Sequence, residues 1–175
     1  NNGGIQNIIA QVVEEAQIVM DNSQTYVSFS LVYSNCVGFS ESSSSTTNLE
    51  NLERPNDGYM DEVHIWRDLY AADMVTLFTN TSDVGGLGNL LETTEGVAEA
   101  AFTTVSIPYT SGYTYIHELG HAMGTHHSIS QNFQPGPGLF DYSAGWRWTG
   151  NDGLKYCSVM SYTAGAYYSD GFNHT

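Results

Sequence analysis

The chain has 175 residues, 41% of them apolar and 13% aromatic, which fits one globular domain with a buried core rather than a disordered segment. Four Lys and Arg stand against 19 Asp and Glu, a formal net charge of −15, so nucleic-acid phosphates and anionic lipid are poor partners. No apolar run approaches the roughly 20 residues that span a bilayer. The opening NNGGIQ has neither an initiator Met nor a basic-then-apolar leader, and reads as the product of processing or of trimming. With the acidic surface, this makes a secreted, extracellular protein the expectation. Cys36 and Cys157 form no CxxC pair, and one disulfide or two buried thiols are equally open. Nothing fixes the oligomeric state.

In chain order, Ile5, Ile8, Ile9, Val12, Val13, Ala16 and Val19 recur at the spacing of one helical face. TYVSFSLVY then alternates, with Val27, Phe29, Leu31 and Tyr33 on one side, and predicts a strand over 25–33. The low-complexity stretch 41–48, SESSSSTTN and its surroundings, reads as a solvated loop. Val63, Trp66 and Tyr70 predict a second helix over about 60–71, leading into a doubly covered strand at 73–79. This helix–strand order argues for a mostly parallel sheet. GGLGNL, 85–90, fits no nucleotide-binding pattern and reads as a turn, while AFTTVSI, 101–107, reads as a strand ended by Pro108. From about 128 onward QPGPG, SAGW and TGNDG are turn-rich and predict a small irregular subdomain held by Phe140, Trp146 and Trp148.

The chemistry lies in YIHELGHAMGTHHS, whose pattern is His117-Glu118-x-x-His121-x-x-Gly124-x-x-His127. Four helical residues advance about 400° and about 6 Å, so His117 and His121 share one face and can reach one metal at about 2.0–2.1 Å. Glu118, rotated by about 100°, is free to sit beside a zinc-bound water rather than ligate. Gly124 accepts a left-handed conformation, ends the helix and turns the chain so that His127 comes under the zinc. Three imidazoles plus water make an open, catalytic site. His126 has the wrong offset from Gly124 and reads as a surface or supporting residue. His64 and His174 are isolated and read as structural.

This extended motif resembles that of the metzincins, a clan of zinc endopeptidases. CSVMSY resembles their Met-turn, which implies that Met160 forms an apolar floor below the zinc. The spelling SVMSY is of the serralysin and astacin type and implies that Tyr162 ligates zinc or donates to the oxyanion. RDLYAADMVTLFT, AFTTVSI and YTYIHELGHAMGTHH resemble the adamalysin (reprolysin) group. The resemblance covers about 60–162. It implies an α/β (α+β) fold: a twisted five-stranded mixed sheet with two long helices over a cleft, and a small lower subdomain. On that division 1–127 is the upper part and 128–175 the lower part of one catalytic domain. It also implies an antiparallel edge strand that receives the substrate backbone, for which 101–107 is the candidate.

One zinc ion is therefore the expected cofactor; calcium is compatible with the chain, but no motif supports it. The expected reaction is cleavage of internal bonds in peptides or proteins by water, with Glu118 as base and Tyr162 as oxyanion donor. Trp146, Trp148, Tyr167 and Tyr168 are candidates for a specificity pocket, with core packing the better reading for the tryptophans. A clan with a Glu as third ligand is excluded, because no Glu follows Glu118. The alternatives are an inactive zinc-binding adhesion domain, against which Glu118 and the open site argue, and a small-molecule hydrolase.

Overall fold

A computed structural model describes residues 2–163 and 167–168. Helix α1, Asn2–Asn22, buries Val12, Ala16 and Val19, which lie at the three-and-four spacing of one face. Ala16 and Val19 pack on Ile116 and Leu119 of α4, Thr114–Ala122. Burial of such a side chain contributes about 1.5–3 kcal/mol, so this contact anchors the helix that carries the histidine motif.

The segment 25–33 departs from the predicted strand: it joins no ladder. Gln17 on α1 takes the place of a strand partner. Its Nε2 donates to the Val27 carbonyl at 3.2 Å, and its Oε1 accepts from the Phe29 amide at 2.8 Å. Phe29 packs inward, while Val27 and Leu31 stay exposed. The predicted loop at 41–48 is also corrected, because α2, Ser45–Glu53, begins inside it. Ser44 is its N-cap and accepts from the Thr47 amide at 3.3 Å. The Ser45 hydroxyl and amide both donate to the Asp83 carboxylate, at 2.6 and 2.8 Å. Asn48, wholly buried, bonds both backbone groups of Ser42. The serines are thus capping groups that launch a helix, whose Leu49 and Leu52 enter a core with Met60, Val63 and Phe102.

Helix α3, Asp61–Leu69, and strand β1, Val75–Thr79, fall where the periodicity predicts them. Strands β2, Gly86–Gly88, and β3, Phe102–Ser106, complete a mixed sheet of order β1-β3-β2. Strand β1 runs parallel to β3 with Val75 opposite Phe102; β2 runs antiparallel with Gly86 opposite Val105. The α+β class is as the sequence implies, but this sheet has three strands among the described residues instead of five, and the 25–33 segment is bonded to Gln17 rather than to a strand. Two further corrections follow. The segment 101–107 is the central strand, buried at all five positions of β3, and not the edge. The antiparallel edge is β2, which lies in the GGLGNL stretch read as a turn.

After His127 the chain runs through turns into a second small sheet. Strand β4, Arg147–Thr149, pairs antiparallel with β5, Lys155–Cys157, which pairs parallel with β6, Tyr167–Tyr168. Both cysteines are free thiols, Cys36 exposed and Cys157 buried. Trp148 stacks on Tyr156 with ring centroids 5.8 Å apart, whereas Trp146 is exposed. No described helix is long and apolar enough to cross a membrane.

Candidate metal centre and active-site cleft

Helix α4 ends as its sequence requires. Gly124 has φ of +85°, its amide donates to the His121 carbonyl, and the Thr125 amide reaches back to the Gly120 carbonyl, both at 2.9 Å. This is a Schellman closure, in which the left-handed residue lets two orphan carbonyls be satisfied. The reversed chain is then fixed by Leu139 N–H to the Gly124 carbonyl at 2.8 Å and Gly136 N–H to the His127 carbonyl at 3.1 Å.

The turn brings three imidazoles together. His127 Nε2 lies 3.1 Å from His117 Nε2 and 3.2 Å from His121 Nε2. Ligands about 2.05 Å from a tetrahedral ion stand about 3.3 Å apart, so the spacing matches a common metal. The other ring nitrogens settle the tautomers. Nδ1 of His117 contacts the Val159 carbonyl at 2.6 Å, that of His121 the Thr125 carbonyl at 2.9 Å, and that of His127 the Gln134 carbonyl at 3.0 Å. A carbonyl only accepts, so each Nδ1 carries the proton and each Nε2 turns a lone pair toward the common centre. Burial, followed by the neighbouring imidazoles, lowers His121 to about 3; burial chiefly lowers His127 to about 4 and also lowers His117. All three are neutral near pH 7, the state that ligates. Together they are a donor set able to hold one metal ion.

Glu118 is only 6% exposed and lines the cleft beside this cluster without belonging to it. Burial raises its carboxyl to about 8. The glycines of β2 explain how it fits. A Cβ on Gly86 would stand 2.7 Å from Glu118 Cγ, and one on Gly88 would stand 2.6 Å from the Glu118 carbonyl oxygen. Any side chain there would push the helix off the strand. This close approach was missed in the sequence, although glycines at 85, 86 and 88 were its visible trace.

Tyr162 reaches the cleft from the far side. It is 41% exposed, with its ring centroid 4.7 Å from that of His127 and 6.2 Å from that of His117. Burial and then the Glu118 carboxylate raise its phenol above the usual range. Its amide donates to Gln131 Oε1 at 3.2 Å, and its carbonyl accepts from Arg147. Met160 is buried under α4, where Gly120 leaves room for its sulfur. His126 lines the cleft but stays outside the three-nitrogen cluster; its Nδ1 accepts from the His127 amide at 2.7 Å. His64 contacts the Leu52 carbonyl at 3.0 Å and lies against Phe102, a structural place. His174 and the side chains of Tyr167 and Tyr168 lie outside the described residues. The cleft encloses about 550 Å³ between β2, α4 and the Phe133–Gln134 and Tyr162 segments.

Comparison with known proteins agrees with this geometry. The family model described as metallo-peptidase family M12B, reprolysin-like, matches residues 6–128, through the third histidine. The chain is 28% identical over 165 residues to a peptidyl-Asp metalloendopeptidase of Stenotrophomonas maltophilia strain R551-3, covering 94% of this chain and 38% of the relative. A protein of the same name from strain K279a is 30% identical over 161 residues, covering 91% and 37%. Another, from Xanthomonas campestris pv. campestris, is 29% identical over 161 residues, covering 91% and 36%. The chain thus spans well under half the length of these relatives. A solved structure titled "Structure of a chaperone-substrate complex" superposes with a TM-score of 0.63 at 16% identity, over 94% of this chain and 28% of that one. At that identity the likeness is one of fold.

Proposed function

The chain belongs to the reprolysin-like M12B metallopeptidases, and from that premise we propose that it is a zinc-dependent endopeptidase domain that cuts peptide chains at aspartate. The observation that carries the reading is the convergence of three Nε2 atoms with every Nδ1 committed to a carbonyl. Such a neutral, pre-oriented imidazole set suits zinc, which takes nitrogen ligands in open catalytic sites. His117, His121 and His127 would hold the ion. When bound, it supplies a Lewis acid that acidifies water and polarises the scissile carbonyl.

The chain's own residues do the rest. Burial alone keeps Glu118 protonated, and a cation held by the three imidazoles would favour its ionised form; as the carboxylate it takes the proton of the attacking water and passes it to the leaving amine. Tyr162 donates its phenolic proton in a hydrogen bond to the developing oxyanion. Met160 supports the ligands from below. Strand β2 has one edge on β3 and the other toward the cleft, so an extended substrate adds there as an antiparallel strand. The glycines that admit Glu118 also leave that edge smooth. The aspartate preference is inferred from the relatives named for it. Residues 1–127 and 128–175 are read as the upper and lower parts of one catalytic domain, secreted in keeping with its charge.

The rival reading, a zinc-binding domain without activity, leaves the buried Glu118 beside the donor set without a role. One experiment tests the proposal. Purified protein should contain about one zinc per chain and cleave casein at internal bonds, with activity lost to chelator and restored by zinc. Metal-free protein with unimpaired cleavage, or metal-loaded protein with none, would sink it.

A further inference from the structure

The turn after the third histidine carries a buried carboxamide that stands outside both the imidazole cluster and the cleft lining. Gln131, four positions past His127, is 7% exposed. Its backbone N–H closes a turn on the Ser128 carbonyl at 3.1 Å, which ties it to the residue that follows His127. Its side chain spans two segments that do line the cleft. Nε2 donates to the Phe133 carbonyl at 2.7 Å, and Oε1 accepts from the Tyr162 amide at 3.2 Å. A carbonyl only accepts and an amide N–H only donates, so both bonds demand the same orientation of the carboxamide. A buried amide paired at both ends is a fixed link.

Tyr162 needs such a link. It is 41% exposed, so packing encloses only part of it, and its ring meets those of His127 at 4.7 Å and Phe133 at 6.5 Å between centroids. Its backbone is held from two directions, the N–H by Gln131 and the carbonyl by Arg147. The Arg147 bond comes from the second sheet, whereas the Gln131 bond comes from the turn that leaves His127. The route from His127 through Ser128 and Gln131 to Tyr162 is therefore one turn and one side chain long. The other arm of the same amide holds Phe133, next to the Gln134 carbonyl that fixes His127 Nδ1. One amide plane thus sets the His127 imidazole and the Tyr162 phenol relative to each other.

We propose that Gln131 is a positioning residue for the reaction: its carboxamide holds Tyr162 at the distance from the three imidazoles at which the phenol reaches the oxyanion. This rests on the endopeptidase reading above, with Tyr162 as oxyanion donor, and deepens it. The site calls for one acceptor and one donor in a single plane, which a carboxamide supplies. Ionised glutamate has no donor for the Phe133 carbonyl, and methionine fills the same length with neither bond. Misplacing a reacting group by about 1 Å can cost about 10²-fold in rate, so a link this short matters to turnover.

The test is a double-mutant cycle on zinc-loaded protein with an internally cleaved peptide, reading kcat, KM and zinc content. Gln131→Met keeps the shape and removes both bonds. With Tyr162 in place it should lower kcat by about 10- to 10²-fold, with KM changed by no more than about threefold and zinc near one per chain. In the Tyr162→Phe background the backbone bond remains but the phenolic proton is gone. There the same substitution should change kcat by no more than about threefold. Gln131→Ala carries the cycle if the Met variant does not fold. Equal falls in the two backgrounds overturn the inference, because they make Gln131 a general support of the turn. Loss of zinc from the Gln131 variant, or an unchanged kcat, overturns it too. If Tyr162→Phe alone leaves kcat unchanged, the role of the phenol fails and the inference with it. A zinc-loaded wild type that cleaves no peptide overturns instead the endopeptidase reading.

Discussion

His117, Glu118 and His121 stand on a helix whose other face is buried against α1 and the central strand, whereas Tyr162 and the Arg147 that bonds its carbonyl stand among turns and two- or three-residue strands. The first group is placed by apolar packing and one Schellman closure. The second is placed by single hydrogen bonds: Gln131 to the Tyr162 amide, Arg147 to its carbonyl, Ser158 Oγ to the Trp146 amide at 2.9 Å. His127 lies at the junction and depends on both. Groups that must not move sit where packing is dense, and groups that must meet varied substrates sit where a few bonds can be exchanged. The comparison predicts that changes in the packed part alter the chemical step or the metal, while changes in the hydrogen-bonded part alter turnover or selectivity with the metal retained.

The largest expected effect tests the packed side. Glu118→Gln keeps the shape and leaves the three imidazoles untouched, so zinc content should stay near one per chain while kcat falls by up to about 10⁴-fold. Loss of zinc from that variant would mean that Glu118 holds the metal site together, and the division between the two parts would fail.

Tyr162→Phe tests the other side. Removing one oxyanion donor should lower kcat by about 10²–10³-fold with KM and zinc nearly unchanged. Unchanged turnover would reduce Tyr162 to a wall of the cleft.

These two residues also show how far the sequence could be read. The grouping of the three histidines, the place of Glu118 beside them and the turn at Gly124 were legible because helical geometry turns their spacing directly into a common face and a turn. Strand β2 was not. A strand of Gly-Leu-Gly has almost no periodic signal, and its glycines answer to Glu118, which is 30 or more positions away in the chain. The 25–33 segment failed in the opposite way. Its alternation is real, but whether it pairs depends on Gln17, a side chain on another element. The serine run misled because capping groups and solvated loops share one composition, and only Asp83 and Ser42 reveal which it is.

A smaller effect is expected at Gly86. Gly86→Ala would set a methyl against Glu118 Cγ and the Thr104 carbonyl, and should cut kcat/KM about tenfold with zinc retained. If it did nothing, helix and strand would be less tightly coupled than the packing implies.

The smallest effect concerns the metal-free protein. Between about pH 4.5 and 8 native Glu118 keeps a proton that the unfolded chain has released, so stability falls as pH rises through that window. The lowered histidines act oppositely, but only below about pH 6.5, where the unfolded chain binds the extra protons. From pH 6.5 to 8 the apo-protein should therefore lose on the order of 1–2 kcal/mol that apo Glu118→Gln does not lose. Identical melting curves for the two across that range would show that Glu118 is not buried in its neutral form.

The carbonyls that hold the three Nδ1 atoms come from Val159, Thr125 and Gln134, segments separated by up to 34 positions. An ion seated among the rings therefore closes loops as a crosslink does, tying the end of the helix, the turn after His127 and the segment beneath Met160 into one knot. Opening of the Val159 bond or the Gln134 bond frees a ring to turn away from that ion, so its residence time becomes a gauge of breathing in the region after His127. Slow zinc exchange in the intact chain, quickened by Gln131→Ala, would measure that motion without any substrate present.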